Sequence, residues 1–283
     1  MDLQHLLPKL SSEIELSELN SAQNAVHHAA QFIAIAGKYL LEEQADDSHT
    51  NMAWNAEKIC FVGREIQGRA KVALHLPTLS LKILGPTDLE IISYSLFGKT
   101  KAEALNWLKQ ALLLKQIDAD ALKPELNYNI PPHPVDSGDA FPEISKEILE
   151  ELATHRTLTD IFCKEIALEF NHASDVRTWP HHFDHGVYIP FVFDDEQNVE
   201  QSFSVGYAIA DSIIPEPYLY VTQWRKNDSI DYTSAPKLES GAWLPEQLKG
   251  AALTLSEITN SDNQNNTIKA FLAATISWCV LKK

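Results

Sequence analysis

Apolar residues recur at three- and four-residue steps in four stretches of the chain, and this spacing predicts amphipathic helices. In the first stretch, Val26, Ala29 and Ile33 lie on one face. The second stretch opens at Thr100, which has Glu103 three residues later, as in a capping box. The predicted helices cover residues 21–43, the stretch from Thr100, residues 145–170 and the segment after the Asn-rich turn at 260–266.

Short apolar segments bounded by Gly or Pro lie between these helices and predict β-strands. Because strands and helices do not alternate regularly, antiparallel pairing is favoured over parallel crossovers. The predicted fold class is therefore α+β with mainly antiparallel sheets. The predicted strands cover residues 58–62, 70–75, 80–84 and 90–95, and then 187–193, 202–208, 218–222 and 251–255.

A proline-rich stretch near the middle divides the chain. Residues 123–143 hold five prolines, which neither a helix interior nor a central strand tolerates, so we expect a linker here. The predicted domains are an N-terminal half, residues 1–122, and a C-terminal half, residues 144–283. Each half has the order helix, polar loop with His and Trp, strands and helix. This order favours a pseudo-duplication as a hypothesis, although the two halves share negligible identity.

Composition and charge narrow the class of protein. The chain is 45% hydrophobic and 22% charged, which is typical of an ordered globular protein. The net charge of −16, with scattered basic residues, disfavours nucleic acid and anionic membranes as partners. No apolar run reaches the roughly 20 residues that span a bilayer. The start of the chain lacks secretion-signal features, and three cysteines in apolar segments indicate a reducing compartment, so we expect a cytoplasmic protein.

One segment carries metal-ligand chemistry. His181, His182 and Asp184 lie within four residues, and imidazole and carboxylate are ligands of divalent transition metals such as Zn. If the following strand extends back through them, His182 and Asp184 share a face. His49 lies in the corresponding loop of the first half and completes the predicted ligand set. Glu216 is the predicted general base for a metal-activated water, which gives a metal-assisted hydrolase acting on a small molecule.

The same loops also allow two hypotheses that involve no metal. As a small-molecule pocket, Arg177 would clamp an anionic group while Trp179 and Trp54 form an apolar wall. As a structural feature, the histidines would only bond to backbone carbonyls, and the loops would join the two halves. Phosphate-loop, dinucleotide-binding and nucleophile-elbow motifs are missing from the sequence. Whether the protein is an enzyme, a non-catalytic ligand-binding protein or a structural protein stays open, as does its oligomeric state.

Three segments resemble a family of uncharacterised bacterial proteins with a domain of unknown function. They are the DDSHTNMAW segment at 46–54, the RTWPHHFD segment at 177–184 and the EPYLYV segment at 216–221. The resemblance spans most of the chain and implies a bacterial cytoplasmic protein, but it implies no reaction. It also favours a single site built from these three segments.

Overall fold

The computed structural model describes residues 6–226 and 230–281, and the described part holds five α-helices and two antiparallel sheets. The predicted α+β class is confirmed. Within the same part, no helix combines the length and apolar character that crossing a membrane requires. The helices are α1 (Leu16–Leu40), α2 (Lys101–Leu113), α3 (Lys146–Leu168), α4 (Leu255–Thr259) and α5 (Gln264–Leu281).

The strands follow the predicted segments closely. Residues 80–84 and 90–95 have the predicted bounds, while short strands at 53–55, 177–178 and 242–244 were not predicted. The strands are β1 (Ala53–Asn55), β2 (Cys60–Val62), β3 (Lys71–His75), β4 (Ser80–Leu84), β5 (Glu90–Ser95), β6 (Arg177–Thr178), β7 (His185–Phe193), β8 (Val199–Ala208), β9 (Tyr218–Arg225), β10 (Ala242–Leu244) and β11 (Gly250–Thr254).

The chain folds into two compact units that are not contiguous in sequence. The first unit consists of residues 17–153 together with 177–183. The second unit contains 154–176 and most of the chain from Asp184 onward, together with the described residues before Ser17. The division into halves at 1–122 and 144–283 stays a prediction.

In the first unit, β1 to β5 pair in chain order as an antiparallel meander. Helix α2 begins as predicted, with Thr100 as its N-cap and a complete capping box to Glu103. The helix packs on the sheet through Trp107, whose ring stacks on Tyr94 at 5.1 Å. The proline-rich stretch holds no α-helix or β-strand in the described structure, as expected, but buries Val135 and Phe141 in the same unit.

Helix α1 begins five residues before the predicted start, and its middle is buried on nearly all sides. Gly37 lies near its C-terminal end, where a Cβ atom would come within 2.4 Å of the His49 carbonyl oxygen. Glycine therefore lets the short helical turn Ser48–Thr50 approach the helix closely. This contact positions the loop that carries His49.

In the second unit, β7 to β11 pair in the order β10-β11-β9-β8-β7. One face of this sheet packs against α3 and α5: the Cys163 thiol donates to the Val205 carbonyl, and the Gln223 amide donates to the Cys279 carbonyl. All three cysteines are buried and unbridged. Because β11 lies between β9 and β10, the strand order differs from the simple meander of the first unit, and the pseudo-duplication is not confirmed.

Candidate functional site

Two of the predicted loops lie side by side in the first unit. Met52 donates its N–H to the Thr178 carbonyl at 3.1 Å, and Thr178 donates its N–H to the Met52 carbonyl at 2.8 Å. This backbone bridge joins the segment after His49 to the start of the segment 177–183. Asp184 and Glu216 belong to the second unit.

The segment 177–183 forms a turn anchored by Phe183. Its N–H donates to the Trp179 carbonyl at 2.7 Å, and β7 begins only at His185, so strand alternation does not extend through the preceding histidines. Phe183 has a left-handed φ of 57°, which is rare for a bulky residue. Its ring is 1% exposed and stacks on His27 at 4.8 Å. Burial of this ring stabilises an otherwise strained turn.

The Pro180 carbonyl is the second anchor of the turn. It accepts hydrogen bonds from His27 Nε2 at 2.7 Å and from Gln31 Nε2 at 3.0 Å, both on α1. Because a carbonyl can only accept, His27 carries its proton on Nε2. The Gln31 Oε1 atom accepts from the Tyr128 hydroxyl at 2.8 Å. Side chains from α1 and the proline-rich stretch thus hold the backbone of this turn.

The three histidines predicted as metal ligands have different neighbours in the structure. The half-buried His181 ring lies 5.8 Å from Tyr128 and 4.6 Å from the ring of His182, which is exposed. The buried His49 accepts at Nδ1 from the Gln44 N–H at 3.2 Å. Across residues 6–226 and 230–281, no three His, Cys, Asp or Glu side chains form a group that could hold a metal ion.

Asp184 and Glu216 take part in hydrogen bonds within the second unit. Asp184 accepts from the Tyr220 hydroxyl at 2.8 Å, and burial together with this carboxylate raises the pKa of Tyr220 well above its usual value. A Cβ atom at Gly186 would lie 2.8 Å from the Tyr220 hydroxyl, so glycine lets the phenol reach Asp184. Glu216 accepts from the Ser256 N–H at 2.7 Å, in the first turn of α4.

The predicted ligand-binding residues lie in the first unit but differ in exposure. Trp54 is 4% exposed and meets Phe61 edge-on at 5.0 Å, which makes it a core residue. Trp179 is half-buried and lies 6.2 Å from His181. Arg177 is half-buried on β6. The bridge between β6 and Met52 brings these residues into one region of the unit.

A cavity of about 620 Å³ lies elsewhere in the first unit. Its walls come from α1, the N-terminal part of α2 and the proline-rich stretch. The polar lining residues are His28, Gln31, Thr100, Lys101, Glu125, Tyr128, Asn129 and Asp136. The apolar lining residues include Phe32, Ile35, Leu105, Leu126, Ile130 and Val135.

Lys101 connects the charged groups at one side of this cavity. Its ammonium donates to His28 Nδ1 at 2.9 Å and to Asp136 Oδ1 at 2.5 Å. His28 in turn donates from Nε2 to the Pro131 carbonyl at 2.8 Å. Burial lowers the pKa of His28, so the imidazole is neutral at pH 7 and can accept from the lysine.

Sequence reasoning missed this cluster because its members are far apart in the chain. Lys101 is 73 residues from His28 and 35 residues from Asp136. One local signal was present: a lysine in the first turn of a helix opposes the helix dipole, which favours anions there. Such a lysine indicates either an acidic neighbour or an anionic ligand.

A second polar cluster, also missed, lies in the interior of the second unit. The Arg156 guanidinium lies 4.9 Å from the centre of the Tyr207 ring, and burial lowers its pKa to about 10. His185 Nε2 is 3.8 Å from Asp160, and burial lowers the pKa of His185. His155 bonds to the Tyr207 hydroxyl at 2.9 Å, beside a cavity of only about 10 Å³. We interpret this cluster as part of the packed interior.

Comparison with protein-family models, with curated proteins and with solved structures found no match to the chain in any of the three.

Proposed function

We propose that this protein binds a small organic molecule in the cavity of the first unit. The cavity carries the proposal. Its volume of about 620 Å³ lies in the range of roughly 300–1,000 Å³ that is typical of small-molecule sites. Such sites have mainly apolar walls and a few convergent polar groups, and this cavity has both.

The segment 177–183 contacts side chains that line the cavity. Gln31 lines the cavity and also donates to the Pro180 carbonyl. Tyr128 lines the cavity, donates to Gln31 and lies beside His181. The turn with the histidines therefore contacts two side chains of the cavity wall.

A cavity-filling variant tests the proposal. Leu105 lines the cavity from α2, whereas Leu113 lies on the same helix, is exposed and does not line it. We expect a thermal-shift screen of small organic molecules to find ligands that stabilise the wild-type protein and Leu113→Trp but not Leu105→Trp. Leu105→Phe is a milder filler if the tryptophan unfolds the protein. Ligands that stabilise both cavity-filled variants as well as the wild type would contradict the proposal.

The metal-assisted hydrolase stays a prediction with a separate test. Elemental analysis of the untagged protein and of His182→Ala measures the bound transition metal. About one equivalent in the wild type, lost in the variant, would favour the hydrolase. No metal in either protein after supplementation would contradict it. Membership of the uncharacterised bacterial family likewise stays a prediction.

A further inference from the structure

We infer that the ligand of the cavity is a carboxylate with an apolar body and that the Lys101 ammonium binds its carboxylate group. This inference rests on the proposed function, since it names the class of ligand for the same cavity. The polar groups of the cavity differ in whether they can still form a bond to a ligand.

Lys101 has a donor left for a ligand. An ammonium has three protons. Two of them are directed at His28 Nδ1 and Asp136 Oδ1, at 2.9 and 2.5 Å, and the third has no hydrogen-bond acceptor among the described residues. The lysine side chain is 28% exposed and lines the cavity, so a ligand there can reach it.

The polar neighbours of Lys101 already form hydrogen bonds within the protein. Neutral His28 uses Nε2 to donate to Pro131 and Nδ1 to accept from the lysine. Asp136 accepts from Lys101 at Oδ1 and from the His133 N–H at Oδ2, at 3.1 Å. The charge of Asp136 is thus already paired with the lysine. A ligand group that bonds to the remaining N–H of Lys101 must accept a hydrogen bond, and a carboxylate is the strongest such acceptor among common organic groups.

The position of Lys101 adds to this preference. Thr100, Lys101 and Ala102 at the N-terminal end of α2 all line the cavity. The dipole of this 13-residue helix favours negative charge at that end. Away from the lysine, the walls combine apolar side chains with the polar residues Glu125, Tyr128 and Asn129. The apolar part is the larger one. It includes Phe32 and Ile35 of α1 and Leu105 of α2, which would contact a hydrocarbon chain or ring.

Three eight-carbon probes that differ only in the polar end test the inference. Octanoate, octanamide and octylammonium are titrated calorimetrically into the wild-type protein at pH 7.5. We expect octanoate to bind at least ten-fold more tightly than octanamide, and octylammonium to bind most weakly. The same titrations are made with Lys101→Met and with Lys109→Met, which removes a lysine of the same helix that does not line the cavity.

We expect the preference for octanoate to persist in Lys109→Met and to fall below two-fold in Lys101→Met, with octanamide affinity retained. The retained octanamide affinity shows that Lys101→Met is folded. Lys101→Arg, which keeps the charge, should retain a preference for octanoate. Equal binding of octanoate and octanamide, tightest binding of octylammonium, or an unchanged preference in Lys101→Met would each overturn the inference. Loss of octanamide binding in Leu105→Trp would show that the probes bind in the cavity. In that case the proposed cavity function would stand even if the preference for a carboxylate were overturned. Absence of binding by all three probes would overturn the carboxylate inference, and the screen with Leu105→Trp then decides the cavity function.

Discussion

His27 and His28 are neighbours on α1 and form the same type of bond in different surroundings. Each donates from Nε2 to a proline carbonyl, His27 to Pro180 and His28 to Pro131. The His27 ring stacks on Phe183 in a packed region. The His28 ring lines a cavity and accepts from Lys101. A histidine bond to a backbone carbonyl is therefore compatible with either a packed interior or a binding site, and the space beside the ring distinguishes the two.

The largest expected effect is a loss of stability where Phe183 packs against His27. Phe183→Ala removes a fully buried ring and its stacking on His27, so we expect a loss of about 3–5 kcal/mol in the free energy of unfolding. His182→Ala, one residue away and exposed, should change it by less than about 0.5 kcal/mol. Urea unfolding followed by fluorescence measures both. Similar losses in the two variants would mean that the turn is not anchored by Phe183.

A smaller effect separates the two histidines. His27→Ala leaves the Pro180 carbonyl with Gln31 alone, and we expect a loss of about 1–3 kcal/mol in the free energy of unfolding. Since His27 does not line the cavity, octanamide affinity should change by less than two-fold. Urea unfolding and calorimetric titration test the two parts. A large loss of affinity with unchanged stability would mean that His27 contributes to ligand binding rather than to packing.

The smallest expected effect is a pH dependence of stability that arises from His28, at the cavity. The pKa of His28 is lower in the folded protein than in the unfolded chain, mainly because of burial, with further influence from Lys101, Asp136 and His133. The unfolded chain therefore binds more protons below its histidine pKa of about 6.5, and stability falls as the pH falls through that value.

His28→Gln should reduce this dependence. We expect the slope of unfolding free energy against pH between 7.5 and 5.5 to decrease by up to about 1.4 kcal/mol per pH unit, the value for one proton. Burial also lowers the pKa of His75, His133 and His185, so part of the slope remains in the variant. A slope identical to that of the wild type would show that His28 titrates alike in both states.

The regular elements were predictable because local signals determine them. The alternating apolar pattern around Ile83, bounded by Gly85 and Pro86, predicts the end of β4. The Thr100 and Glu103 spacing predicts the start of α2, because the two residues satisfy each other's backbone donors. Short strands such as β1 were missed, since three residues show too little pattern.

The candidate site was less accessible because it depends on long-range packing. The sequence presents His181 and His182 as a cluster, yet it does not show that the left-handed turn at Phe183 inserts that ring against α1. The cavity cluster combines one residue from each of three elements. Its members have ordinary local roles, such as Lys101 in a capping-box turn, so only the folded chain brings them together.

A crystal structure of the protein saturated with octanoate tests directly whether the cavity of the first unit binds a carboxylate through Lys101. We predict octanoate between Phe32, Ile35 and Leu105, with its carboxylate next to Lys101 Nζ. Octanoate bound instead against His181 and His182, with none in the cavity, would contradict the account.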